Sequence, residues 1–164
     1  MKTIIGVMGP GPGATGDDVN NAYLLGKFIA KQNWVLLTGG RNKGVMHAAS
    51  KGAKENNGLT IGILPGDNYL SVSEYVDIPV ITGLGNARNN INILSSMVIV
   101  ACGICQGTIS EIALAIKSGK NVILLNNDEQ AKHYFKKLGN EKVHIAANID
   151  EANTLLIELV QNYW

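Results

Sequence analysis

The sequence predicts an α/β protein: a doubly wound, mostly parallel sheet of Rossmann type with helices on both faces. Three observations carry this. Short runs of β-branched and aliphatic residues alternate with longer helical patterns along the whole chain. The strand-like runs are nearly continuous in apolar character, as strands covered on both faces must be. Glycine clusters fall where these runs end, at positions 9–13, 39–40, 83–85 and 103–107. In open parallel sheets ligands bind beyond the carboxyl ends of the strands, so these clusters together predict one composite pocket.

Thr3 to Met8 reads as the first strand, and Gly9-Pro10-Gly11-Pro12-Gly13 breaks it into a loop. Gly16 or Asp17 caps a helix running to about Lys31, with Val19, Tyr23, Leu24 and Phe28 on its apolar face. Trp34 to Leu37 forms a second strand ending in Thr38-Gly39-Gly40. Asn42 is the expected cap of a helix that stops near Asn56 at the Asn-Asn-Gly signal. Thr60 to Leu64 is a third strand closed by Pro65-Gly66, followed by an irregular stretch, Asp67 to Val76, and a short strand within Asp77 to Thr82. Gly83-Leu84-Gly85 leads into a helix through Arg88 to about Ser95. Met97 to Ala101 is the central strand, Cys102 to Gly107 a turn, and a helix follows from Thr108, its apolar spacing marked by Ile109, Ile112, Ala113 and Ile116. Asn121 to Leu125 is another strand. Asp128 opens a charged helix to about Leu138, Val143 to Ala146 is a last strand, and Asp150 caps an amphipathic C-terminal helix.

Bulk properties narrow the function. A chain of 164 residues suits one domain, residues 1–164, with a single sizeable core. A net charge of +1 provides no field for nucleic acid or an anionic membrane. The short apolar run at the N-terminus is broken too early by Gly and Pro for a signal peptide, and no run long enough to span a membrane occurs. Two cysteines, three positions apart, exclude a disulfide framework and favour the reducing cytoplasm.

The turn from Cys102 to Thr108 is the strongest chemical signal. A turn that passes from a buried strand into a helix presents free backbone N–H groups and the positive end of the helix dipole, which attract a phosphate. The same residues also read as a capping box, Thr108 with Glu111 three positions on. Cys102-Gly103-Ile104-Cys105 has the spacing of a redox pair, although the chain lacks the tryptophan-rich approach such a site would have, and no nearby His completes a metal set. Gly39-Gly40-Arg41-Asn42-Lys43-Gly44-Val45-Met46, glycines at a strand end followed by cations and a helix start, suits a second anion-binding turn or a simple tight turn with Arg41 and Lys43 exposed, and it lacks the Gly-Lys-Ser/Thr ending of a Walker loop. Arg88, flanked by Asn86, Asn89 and Asn90, suits a bidentate contact with phosphate or carboxylate. Asp67 and Asn68 are weaker rim candidates.

Thr38-Gly39-Gly40, Gly44-Val45-Met46, Ile61 to Pro65, Arg88 and Gly107 to Glu111 occur in an order that resembles the Lonely-guy superfamily. The resemblance spans about Thr3 to Leu125. One branch, the cytokinin-activating phosphoribohydrolases, carries PGGxGTxxE with an upstream arginine. Gly107, Thr108, Glu111 and Arg88 match that pattern, while Gly103, Ile104 and Cys105 stand in place of PGG. The other branch is the molybdenum cofactor carriers, to which the chain is more similar in Leu64-Pro65-Gly66-Asp67-Asn68, in Asp77-Ile78-Pro79, in Thr82 to Asn89 and in Ala101-Cys102-Gly103.

This resemblance implies a cytoplasmic, non-catalytic homo-oligomer, dimer or tetramer, that binds and shields the molybdenum cofactor. The ligand is a phosphate-bearing pterin or, if the hydrolase branch applies, a purine nucleoside monophosphate. The candidate binding set is Gly9, Gly11, Gly39, Gly40, Arg41, Asn42, Arg88, Gly103, Ile104, Cys105, Gln106, Gly107, Thr108 and Glu111. Arg88 and Glu111 are catalytic only on the hydrolase reading. On the carrier reading, residues 103–108 hold the phosphate, Arg88 adds charge, and the loops after Met8 and Thr38 wall the pterin.

Overall fold

A computed structural model describes residues 1–126 and 128–163. Its strands are β1 (Ile4–Met8), β2 (Val35–Thr38), β3 (Leu59–Leu64), β4 (Ile78–Ile81), β5 (Val98–Cys102), β6 (Asn121–Leu125) and β7 (Val143–Ile145). They form one seven-stranded sheet in the order β4-β3-β2-β1-β5-β6-β7, and every neighbouring pair is parallel. The helices are α1 (Gly16–Lys31), α2 (Gly44–Lys54), α3 (Asn89–Ser95), α4 (Gln106–Lys117), α5 (Glu129–Gly139) and α6 (Ile149–Gln161), with a 3-10 turn at Gly85–Arg88 leading into α3.

Alternate side chains of β1, β2, β5 and β6 feed two separate cores. Ile5, Val7, Val98, Val100 and Cys102 pack with α1, α2 and α6 through Leu25, Ala49 and Leu156. Met8, Ile99 and Ala101 pack on the other face with α3, α4 and α5 through Ile93, Ile112 and Phe135. Burial on both faces is why these strands read as continuous apolar runs. The sheet edges differ: β4 leaves Ile78 and Val80 exposed and carries Pro79, a residue suited to an edge because it donates nothing to a ladder.

The chain winds outward from β1 to β4 on one side and from β5 to β7 on the other, so the switch point lies between β1 and β5. All strands point the same way, and every strand-to-helix loop therefore emerges at one rim. That rim is where the fold leaves a crevice for a ligand.

Several helix starts differ from expectation. Thr15, not Gly16 or Asp17, caps α1: its side chain accepts from the Asp18 amide, and Asp18 returns the bond to the Thr15 amide. The buried face of α1 is Ala22, Leu25, Gly26, Ile29 and Ala30, and Val19 is exposed. Lys43 rather than Asn42 precedes α2, and the Asn42 amide instead donates to the Ser71 carbonyl. Asn148 caps α6 where Asp150 was expected. Asp128 caps α5 as expected, accepting from the Ala131 amide.

The irregular stretch before β4 folds back onto the loop after β2. Ser73 donates from its amide to the Gly40 carbonyl, and Arg41 and Val72 form an isolated antiparallel bridge. Asp77 anchors its far end, accepting from the Thr60 amide and hydroxyl and pairing with Lys54. Asp67 and Asn68 remain exposed, bonded to each other rather than directed to the rim crevice.

Candidate functional site

At the switch point the loops after β1, β2 and β5 and the turn before α3 enclose a cavity of about 230 Å³. Met8, Gly9, Gly11 and Pro12 come from the first loop, and Gly39 and Arg41 from the second. Met46 of α2 adds one wall; Asn86, Arg88 and Asn89 add another. Cys105, Gln106, Gly107, Thr108 and Glu111 close it from α4.

Helix α4 opens with no side-chain cap. Cys105 holds the extended N-cap conformation, φ −158° and ψ 175°, and makes no capping bond. The expected capping box is absent because the helix begins earlier. Gln106 is its first residue, which puts Thr108 inside the first turn, where its hydroxyl meets the Cys105 Sγ at 3.2 Å. The first-turn amides thus open onto the cavity without a side-chain acceptor, and the helix dipole favours negative charge there.

Arg88 is buried, 9% exposed, and reaches the cavity from the turn before α3. Its Nη1 donates to the Ile63 carbonyl at 2.9 Å, but its Nε is buried without any partner among the described residues. Gly39 makes room for this guanidinium, since a Cβ at 39 would collide with both terminal nitrogens and with Met46 Sδ. An incompletely bonded buried guanidinium is costly, and an incoming oxyanion would supply the missing acceptor. Burial pulls the Arg88 pKa down; the Glu111 carboxylate opposes this and Arg41 reinforces it.

Glu111 is also buried, 6% exposed. Its Oε1 accepts from Asn92 Nδ2 at 2.9 Å, while Asn92 Oδ1 has no partner among the described residues. Burial raises the Glu111 pKa, opposed by the Asn92 hydrogen bond and by Arg88. Asn89 donates to Ser110 Oγ at 2.9 Å and so ties α3 to α4 beside the site.

Of the residues expected at the site, ten line this one cavity: Gly9, Gly11, Gly39, Arg41, Arg88, Cys105, Gln106, Gly107, Thr108 and Glu111. Gly40 does not: with φ +73° it packs against the Gly62 backbone and keeps the loop turned. Asn42 is exposed outside the cavity. Gly103 and Ile104 lie on the other side of the central turn, in a different cavity. The lining residues not expected are Met8, Pro12 and Met46, together with Asn86 and Asn89, which had been noted only as neighbours of Arg88. Met8 carries no sequence signal beyond ordinary core patterning, and Met46 stood out only as part of the Gly44-Val45-Met46 segment of the family resemblance. The Cys102 and Cys105 thiols are free and have different partners: Cys102 Sγ is buried against the Asp18 carbonyl. Burial, with the Asp18 charge adding to it, pushes the Cys102 thiol far above its ordinary range, against the thiolate that redox chemistry requires.

The model of the SLOG cluster4 family matches residues 2–153. Among solved structures, the chain is similar to the molybdenum cofactor binding protein from the phototrophic bacterium Rippkaea orientalis, at 57% identity and a TM-score of 0.96 over 98% of each chain. It is similar to the Moco carrier protein from Chlamydomonas reinhardtii at 49% identity and a TM-score of 0.94 over 99% of each chain. An uncharacterized protein of Archaeoglobus fulgidus is 43% identical over 121 residues, 74% of this chain and 78% of that one.

Proposed function

The chain belongs to the SLOG cluster4 family, and from that membership and the rim geometry we propose that it binds the molybdenum cofactor and carries it without turning it over. The observation that carries the reading is the buried Arg88 guanidinium. Its Nε lacks an acceptor, and it lines the same cavity as the uncapped start of α4. These donors fit a phosphate monoester, and the whole-length likeness to two cofactor-binding proteins supports the pterin as the group attached to it.

On this reading the Gln106, Gly107 and Thr108 amides hold the phosphate, and Arg88 supplies the charge-assisted contact. Arg41 adds positive field at the mouth. No helix among the described residues is long and apolar enough to cross a membrane. We place the carrier in the cytoplasm as a homo-oligomer, dimer or tetramer, with no nucleic-acid partner. Light scattering of the purified protein tests the assembly.

The hydrolase reading is not favoured. Relatives about half identical over the full length are cofactor-binding proteins, and where the hydrolases have PGG this chain places Ile104 against the apolar core and Cys105 against Thr108.

The test is cofactor protection. Purified protein is loaded anaerobically, exposed to air for set times, and assayed for its ability to reconstitute a cofactor-free molybdoenzyme. Wild type retains reconstituting cofactor long after the free cofactor is lost. Arg88→Ala removes a desolvated charge-assisted contact of about 1.5–3 kcal/mol, so affinity falls about tenfold or more. Failure of the wild type to bind or protect the cofactor would sink the carrier reading.

A further inference from the structure

Across the central turn from the anion cavity lies a second and larger one, of about 570 Å³. Gly103 and Ile104 of the turn line it, with Thr15 and Asp18 at the head of α1 and Asn126 and Asp128 after β6. The two cavities share the same two segments of chain. Gly11 and Pro12 face the first, and Gly13 and Thr15 face the second; likewise Cys105 to Thr108 face the first, and Gly103 and Ile104 the second. Neighbouring residues are only 3.8 Å apart along the chain, so one small molecule lying over this strip reaches both.

Their chemistries differ. The first cavity has two arginines and a bare helix start beside the buried Glu111 carboxyl. The second has carboxylates and, among its lining residues, no cation. Asp18 accepts from the Thr15 amide with Oδ2, at 3.0 Å. Its Oδ1 rests over Gly103, where a Cβ would stand 2.7 Å away, and Gly103 itself has φ +80°. This glycine is therefore needed twice, for the left-handed backbone and for the carboxylate above it. Asp128 likewise uses Oδ1 to cap α5.

Asn126 is the second and independent observation. It is 8% exposed, its Oδ1 accepts from the Asp128 amide at 2.9 Å, and its Nδ2 is buried without a partner among the described residues. Because Oδ1 is occupied as an acceptor, the orientation of the amide is set and the free group is a donor. A donor beside carboxylates does not suit a metal cation. It suits a flat ring edge that donates on one side and accepts on the other.

We infer that the second cavity receives the aminopyrimidinone edge of the pterin whose phosphate sits in the first, an inference that rests on the proposed carrier function. The ring N–H and the exocyclic amine donate to Asp18, and the ring carbonyl accepts from Asn126 Nδ2. The ring is thus walled by the loop after β1 and by the loop after β6.

The experiment is a fluorescence titration with 6-hydroxymethylpterin, which has the ring edge but no phosphate, alongside inorganic phosphate as a separate probe. Wild type binds the pterin at least tenfold more tightly than the matching lumazine, which has a carbonyl in place of the amine. Asp18→Asn keeps the acceptor for the Thr15 amide and removes the carboxylate; pterin affinity falls about tenfold and the preference over lumazine disappears. Asn126→Asp keeps the acceptor for the Asp128 amide and removes the free donor, with a similar loss. Phosphate affinity stays within about twofold in both. Pterin binding that is absent in the wild type, or unchanged from wild type in both variants, overturns the subsite, while phosphate and whole-cofactor binding in the same protein would leave the carrier function standing. Loss of whole-cofactor binding by the wild type overturns both.

Discussion

The Glu111 carboxyl is the residue on which the site's electrostatics turn. It is buried beside Arg88, with which it forms no ion pair among the described residues, and it accepts a hydrogen bond from Asn92. Burial lifts its pKa in the folded protein above the ordinary carboxylate value, with Asn92 and Arg88 opposing. The sign follows from linkage. A group with a raised folded-state pKa contributes stability that is complete below its unfolded pKa and is lost as pH rises through the folded value. Glu111→Gln keeps the acceptor for Asn92 but cannot ionise, so that loss vanishes. Urea unfolding at steps from pH 4 to pH 8 should show the variant gaining on the wild type as pH rises; parallel curves would mean the carboxyl is not held in this way. Arg88 and Glu111 were legible as chemistry because their types and spacing are unusual. Asn92 was not, although residues 89 and 92 stand three apart on one helix face, the spacing that brings side chains together.

At the scale of elements, every strand was legible from its apolar run, but the caps were not legible from residue type alone. Asp128 caps α5 although two other capping types, Asn126 and Asn127, precede it in the sequence. Near α1, Thr15, Asp17 and Asp18 are all capping types, and the choice fell to the residue with extended backbone, Thr15 at φ −74° and ψ 166°. The α4 start was missed because Cys105 takes the cap position without a capping side chain. Two helix-interior glycines also become intelligible only in the fold. Gly26 of α1 abuts the Ala49 carbonyl of α2, and Gly52 of α2 abuts the Tyr23 carbonyl of α1, so the two helices cross backbone to backbone. Glycine normally costs a helix about 1 kcal/mol relative to alanine. Here the close approach outweighs that cost. Gly26→Ala should therefore destabilise the protein by about 1–3 kcal/mol through overpacking, read as a lower urea midpoint at unchanged slope. A rise in the midpoint would show that the helices part at no cost.

Strand order belongs to the whole molecule, and local patterns carry none of it: nothing within β1 or β5 states that they are neighbours. Their pairing, Ile5 to Val98 through Met8 to Ala101, brings the first and fifth rim loops together and so makes the cavity. A ligand seated there touches segments that follow β1, β2, β4 and β5, both halves of the sheet at once. Binding confined to the folded state adds stability by mass action, about 2.7 kcal/mol at a ligand concentration 100-fold above Kd. For a chain of this size that corresponds to a rise in Tm of about 5 to 10 °C. We expect residues 1–164 to unfold in a single transition and that transition to shift as one when a phosphate-bearing ligand is added. Two variants separate the site from the scaffold. Arg88→Ala should abolish the shift. Thr15→Ala, which removes the α1 cap at a cost of about 1 kcal/mol, should lower the Tm of the ligand-free protein and leave the phosphate-induced shift intact. If both variants lost the shift equally, the response would report general loosening of the rim, and the anion contact would have to be sought elsewhere.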